Sequence, residues 1–211
     1  MSDELLLDYP QAALRVTRQE IEFAGKRIAL AEVDGVAYHH QKTRVSGIPM
    51  LDLMTFVVKG AGQKIQIVLS GSGKHKAEDE EAFAALISLS QHLIEPRLVQ
   101  DRFERLAQGA SVEIQGITVT QHGIWKKRPL PKRSSLEWQR FAGIEFLAGD
   151  VVVHAAKGNG NTKFWARVPT AKMNVVLLPP LVQAAYETWY TAAPRADGAE
   201  LRLREPRSAQ P

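Results

Sequence analysis

Nine consecutive residues, Trp125-Lys126-Lys127-Arg128-Pro129-Leu130-Pro131-Lys132-Arg133, hold the densest polar chemistry of the chain. From Lys126 to Arg140 six bases face one acid, Glu137, a net of +5 over fifteen residues. Ammonium and guanidinium groups at that density are donors for phosphate or carboxylate. Pro129 and Pro131 cannot sit in a central strand, so the bases are expected on an exposed loop between two strands. Lys126, Lys127, Arg128, Lys132 and Arg133 are therefore the candidate anion-binding residues. The plainer reading of such a loop is solvation or the docking of a protein partner. Single-stranded nucleic acid would require aromatics among the bases for stacking. Trp125 and Trp138 flank the loop, but both fall on alternating strand positions and are expected in the core.

Other constellations are weaker. Gly71-Ser72-Gly73-Lys74 resembles a phosphate loop until Val68 is found where that pattern needs glycine and His75 where it needs Ser or Thr. It reads as a flexible joint. His39 and His40 would point to opposite faces of a strand, and His75, His92, His122 and His154 have no ligand spacing, so all six are expected to be structural or exposed, with no metal implied. Asp79-Glu80-Glu81 suits a helix N-terminus better than acid-base work. No nucleophile elbow occurs. Without cysteine there is no thiol nucleophile, thiolate metal site or disulfide. The expectation is a protein that is not an enzyme and carries no cofactor.

The elements that position these residues must come from 211 residues, enough for one large or two small domains. The formal charge of +4 and pI near 9.4 mildly favour anionic partners. Met1-Ser2-Asp3-Glu4 carries acids where an export signal needs bases, and Val175 to Tyr186, broken by Pro179-Pro180, is too short for a membrane span. A cytoplasmic protein without a transmembrane segment is expected.

Hydrophobic patterning suggests a weak internal repeat. Val16 to Ile21 aligns with Val119 to Ile124, Val33 to Tyr38 with Phe141 to Phe146, and Lys59 to Gly62 with Lys157 to Gly160. Residues 1–12 read as a leader that docks through Leu5, Leu6 and Leu7. Residues 13–95 form a first β-rich unit, in which Gln41 to Pro49 is a loop with room for a short irregular strand, and a helix runs from Asp79 until Pro96, which closes it and can open a second one. Its apolar side is Phe83, Leu86, Ile87, Leu89 and Leu93. Residues 96–110 supply a linker helix whose Leu98, Phe103 and Leu106 must be buried between the units. Residues 111–191 form the second unit, with seven strands between Val112 and Val168. Asn174 to Leu178 is either a last strand or a capped first turn, and a one-sided helix follows from Pro180. Residues 192–211 are expected to be disordered.

A meander of about seven short strands closed by one helix, occurring twice, resembles the pleckstrin-homology-like fold. The resemblance rests on Leu136-Glu137-Trp138 leading to Phe141-Ala142-Gly143-Ile144, and on Trp165-Ala166-Arg167-Val168-Pro169 followed by Asn174 and an apolar run. The first unit departs from it, with Leu30 where Trp138 stands and Ile67 where Trp165 stands. The resemblance implies an α+β chain, mainly antiparallel β, of two small pleckstrin-homology-like barrels each with a C-terminal helix. Members of that fold bind lipid headgroups, peptides or other proteins.

The combined expectation is a non-catalytic binding or scaffolding module that recognises a protein partner or an anionic, phosphate-bearing ligand or surface. A nucleic-acid-binding protein using the same loop and the Arg-rich tail (Arg195, Arg202, Arg204, Arg207) is the alternative, and a small-ligand enzyme ranks third. Exposed sheet edges leave homo-oligomerisation open.

Overall fold

Period-two alternation becomes sheet throughout the chain. Between Gln63 and Ser70, Ile65, Ile67 and Leu69 are buried while Lys64, Gln66 and Val68 face outward, which gives a strand one dry face. The computed structural model describes residues 5–9, 13–45, 48–127, 134–158 and 160–191.

Strands β1 (Leu5–Tyr9), β2 (Leu14–Thr17), β3 (Glu20–Phe23) and β4 (Lys26–Ala29) form an antiparallel meander, and β5 (Val33–Val45), β6 (Ile48–Gly60) and β7 (Gln63–Ser70) form a second sheet. Helix α1 (Lys76–Leu89) and helix α2 (Glu95–Ala107) follow. The same succession then recurs. Strands β8 (Val112–Ile114), β9 (Ile117–Thr120), β10 (Gly123–Lys126) and β11 (Ser134–Glu137) make a four-stranded sheet, and β12 (Phe141–Leu147), β13 (Asp150–Ala156) and β14 (Thr162–Pro169) make a three-stranded one. Helix α3 (Leu178–Tyr186) closes the order. The fold is α+β, mainly antiparallel, in four separate sheets with two helical segments; among the described residues no ladder closes a barrel. Val16 lies in β2 and Val119 in β9, each the second strand of its sheet, and Val33 and Phe141 each open a three-stranded sheet.

The stretch expected as a leader supplies an edge strand: Leu5–Tyr9 is β1, paired with β2 and tied to α1 by the Tyr9 hydroxyl, which donates to Asp79 Oδ1 at 2.5 Å. Three expectations are corrected. The loop expected from Gln41 to Pro49 is largely strand, since the β5–β6 ladder continues to Val45 and Ile48 while β7 stops pairing at Leu53. A two-stranded ribbon with no third strand beside it has no face that must be apolar, and so leaves no period in the sequence. Pro96 opens the second helix, as expected, but the chain does not leave the helical path before it. Instead α1 runs through a wide turn, Ser90–Ile94, whose Glu95 N–H reaches back to the Ser90 carbonyl, and Pro96 then falls in the first turn of α2. The turn rotates the apolar stripe by one residue, so Ile94 is 1% exposed and Leu93, expected inside, is 38% exposed. The third correction, Trp125, belongs to the site below.

Asn174 to Leu178 resolves as helical. A single turn, Val175–Leu177, precedes α3, so Pro179 and Pro180 occupy its first helical positions, where their missing N–H groups cost nothing.

One contiguous apolar core runs through both halves, and α2 lies between them. Its Leu98 and Leu106 are buried, and its Phe103 ring stacks on Trp189 at 5.3 Å between centroids. Arg97 donates to the carbonyls of Leu30 and Val33, and Arg102 donates to that of Asp34. Asn174, in the left-handed conformation at φ 66°, completes the seam: its N–H bonds the Val36 carbonyl at 2.7 Å and its Oδ1 accepts the Val36 N–H at 3.0 Å.

Candidate functional site

The basic segment begins on β10, and the packing of β10 decides how its first residues are presented. Ile124 is fully buried between Val119 and Leu136, its partners on β9 and β11, so period two turns Trp125 outward. Trp125 is 38% exposed. Its expected place in the core is thus overturned, because alternation fixes that neighbours differ without fixing which one is inside. Trp138 keeps its expected place. It is 4% exposed, packs edge-on against Phe141 and Tyr186, and donates its indole N–H to the Gln121 carbonyl at 2.8 Å.

Cross-strand register sets Glu113, Thr118, Trp125 and Ser135 in one row across β8, β9, β10 and β11. Above this row lies a groove of about 590 Å³, lined by Ser111, Glu113, Thr118, Thr120, His122, Trp125, Lys126 and Lys127, with Gly109 and Gln121 at one end. Its walls are fixed. The Lys127 N–H donates to the Gly116 carbonyl at 2.9 Å, which carries the β9–β10 ladder one rung beyond Lys126. Thr120 Oγ1 donates to the Gly123 carbonyl and accepts the His122 N–H, and Gln121 Nε2 donates to the Leu106 carbonyl at 2.8 Å. The β9–β10 turn is thereby pinned to the end of α2, at a carbonyl that also accepts the Gly109 N–H at 2.9 Å.

Gly123 lets β10 approach β11. Its φ is 147°, and a Cβ there would stand 2.3 Å from the Leu136 carbonyl oxygen.

Of the five candidate bases, Lys126 and Lys127 line the groove. Arg128, Lys132 and Arg133 lie outside the described residues. Among the described residues five bases elsewhere pair with a carboxylate: Arg27 with Glu22, Lys42 with Asp52, Lys76 with Glu80, Arg97 with Asp101 and Arg167 with Asp150. Among the described residues Lys126 and Lys127 have no such partner. Two bare ammonium groups beside an exposed indole and a line of hydroxyls suit an anionic ligand with a flat, weakly polar part.

The other candidates stay apart from this groove. The joint from Gly71 to Lys74 is closed on itself, Ser70 Oγ donating to the Ser72 carbonyl. His40 and His39 do point to opposite faces of β5, His40 toward Asp52 and Phe83, and His39 to the other face with its Nδ1 buried and unpartnered. The His40 hydrogen bond holds the Asp52 carboxyl below its ordinary range, and burial lowers His39. His75 bonds Glu78, and His154 bonds Glu145. Among the described residues no three metal-ligating side chains converge. Nor is any described helix long and apolar enough to cross a membrane.

The signal that could have exposed Trp125 is its neighbour. Ile124 is the more apolar of the two on a four-residue strand and competes for the same interior. No family model matches the chain, and no curated protein matches it.

Proposed function

We propose that the chain is a non-catalytic binding protein built of two pleckstrin-homology-like modules, and that it recognises a phosphate-bearing anionic partner through the basic segment that leaves β10. Support for the modules comes from the recurring order of a four-stranded meander, a three-stranded meander and a helix. In the first half β4 also lies across β6 and β7, as the two faces of a small barrel would. The observation that carries the binding reading is the pair Lys126 and Lys127, unneutralised on a concave surface, with three more bases following in sequence within 128–133. Phosphate is the natural counterpart of clustered ammonium and guanidinium donors.

The test replaces Lys126, Lys127, Arg128, Lys132 and Arg133 by serine and measures retention on phosphatidylserine vesicles and on immobilised inorganic polyphosphate, with circular dichroism to confirm folding. The unsubstituted protein should bind at least one of these at low salt and elute as salt rises, and the serine variant should bind neither. Equal retention of the two proteins, or no retention of the unsubstituted one on either matrix, overturns the reading.

A further inference from the structure

Six large apolar side chains stand exposed among the described residues: Val68, Leu93, Trp125, Phe146, Leu147 and Phe164. They are not alike. Phe164 already packs, tilted, against His154, and Phe146 and Leu147 sit at a hairpin end beside the turn at Ala148 and Gly149. Of the six, Trp125 alone lines the groove of about 590 Å³. That volume lies in the range that holds a small organic ligand, on the order of 300–1,000 Å³. The surroundings of the indole are polar: Thr118 opposite it on β9, Glu113 one strand further, Ser111, Thr120 and His122 around it, and Lys126 and Lys127 following it.

We infer that this groove stacks a nucleobase on Trp125 and meets the attached phosphate with Lys126 and Lys127. The inference rests on the reading above, that β10 presents bases to phosphate, and it names the remainder of the ligand. An indole face accepts any base, since every base has a π-face, and stacking needs no particular hydrogen-bond code. Lys127 has the same strand parity as Trp125 and lies two residues on, about 6.8 Å along the strand at roughly 3.4 Å per residue. A base and its own phosphate are separated by a distance of the same order, so one nucleotide spans both contacts. Glu113 and the hydroxyls of Thr118, Thr120 and Ser111 present acceptors, and in the case of the hydroxyls donors, to the polar edges of a ring held over the row. A lipid headgroup has no flat ring to occupy the indole, and its phosphate would leave Trp125 idle. In a duplex the bases are already stacked on each other, so an unpaired nucleotide is the form that fits.

The chemistry is shared by a free nucleotide and by an unpaired strand, and the test separates them. Trp125 is one of four tryptophans, so the emission of the protein is compared with that of Trp125→Phe to isolate its signal. A mixed-sequence single-stranded oligonucleotide, the corresponding mononucleotides and inorganic polyphosphate are each titrated. Quenching of the Trp125 signal by the oligonucleotide is expected, with none by polyphosphate. Trp125→Ala should weaken oligonucleotide binding roughly 5- to 100-fold, leaving polyphosphate binding unchanged, and Trp125→Phe should restore most of the loss. Lys126→Ser with Lys127→Ser should weaken both ligands and reduce the slope of log affinity against log salt for the oligonucleotide by about 1.4, two contacts at about 0.7 each. Quenching by mononucleotides at comparable concentration assigns a nucleotide site, and quenching by the oligonucleotide alone assigns a strand-binding one. If polyphosphate binds and Trp125→Ala changes nothing, or changes both ligands equally, the nucleobase inference fails while the anionic reading stands. If no polyanion binds at all, both fail.

Discussion

Two tyrosines show how one side chain records its surroundings. The Tyr9 phenol is pushed up to about 12, first by its hydrogen bond to Asp79 and then by burial, and Tyr38 is pushed up to about 12 by burial and by the nearby Glu95 carboxylate. An unfolded chain releases both protons near pH 10. Between pH 10 and 12 the native state therefore holds more protons than the unfolded one, so stability is intact below pH 10 and falls as pH rises toward 12. Urea midpoints measured across that window should show the decline. Tyr9→Phe should make it shallower, while lowering stability at neutral pH by about 1–3 kcal/mol through the lost bond to Asp79. Glycines test the sheet in the same way. Gly123 and Gly143 both have φ of 147°, but only Gly123 has backbone where a Cβ would go. Gly143→Ala should cost the conformational strain alone, about 1–3 kcal/mol, and Gly123→Ala about 3 kcal/mol or more. Equal losses in thermal denaturation would mean that the approach of β11 does not govern β10.

Elements are joined by groups that sequence patterns do not announce. Asn174 stands before α3, yet its partners are on β5, 138 residues away. Replacing it by alanine removes the acceptor of the Val36 N–H and puts a Cβ into a left-handed conformation. Asn174→Ala should therefore cost about 2–3 kcal/mol, and Asn174→Gly, which relieves only the strain, about 1 kcal/mol less. Calorimetry that found the two equal would place the whole effect in the hydrogen bond. The turn at Ser90–Ile94 makes the related point for helices. Apolar spacing over α1 correctly marked Phe83 and Leu86 as buried, but the step of one residue that brings Ile94 inside depends on how a helix accommodates Pro96.

At the scale of the molecule, α2 is shared by both halves, and its Leu106 is fully buried. Burial of one element by two units couples their unfolding. All four tryptophans lie between residues 125 and 189, so their emission follows the second half while far-ultraviolet circular dichroism sees both. The two signals should give one common midpoint in urea. Leu106→Ala should lower both midpoints together, by about 2–5 kcal/mol in stability. Two separated transitions would show that α2 belongs to one half only.

By itself the sequence determined the seven strands of the second half, the helical segments, the mainly antiparallel β character and the basic segment after Trp125. Each is a local pattern, set by period two, period 3.6 or proline and charge content. The tertiary structure alone decided that Trp125 faces out, that Leu5–Tyr9 is a strand, that β5 and β6 run on past β7, and that Asn174 joins the halves. Those outcomes depend on which of several adequate apolar residues wins a limited interior and on which distant backbone groups are left to be paired. No short window of sequence contains either quantity.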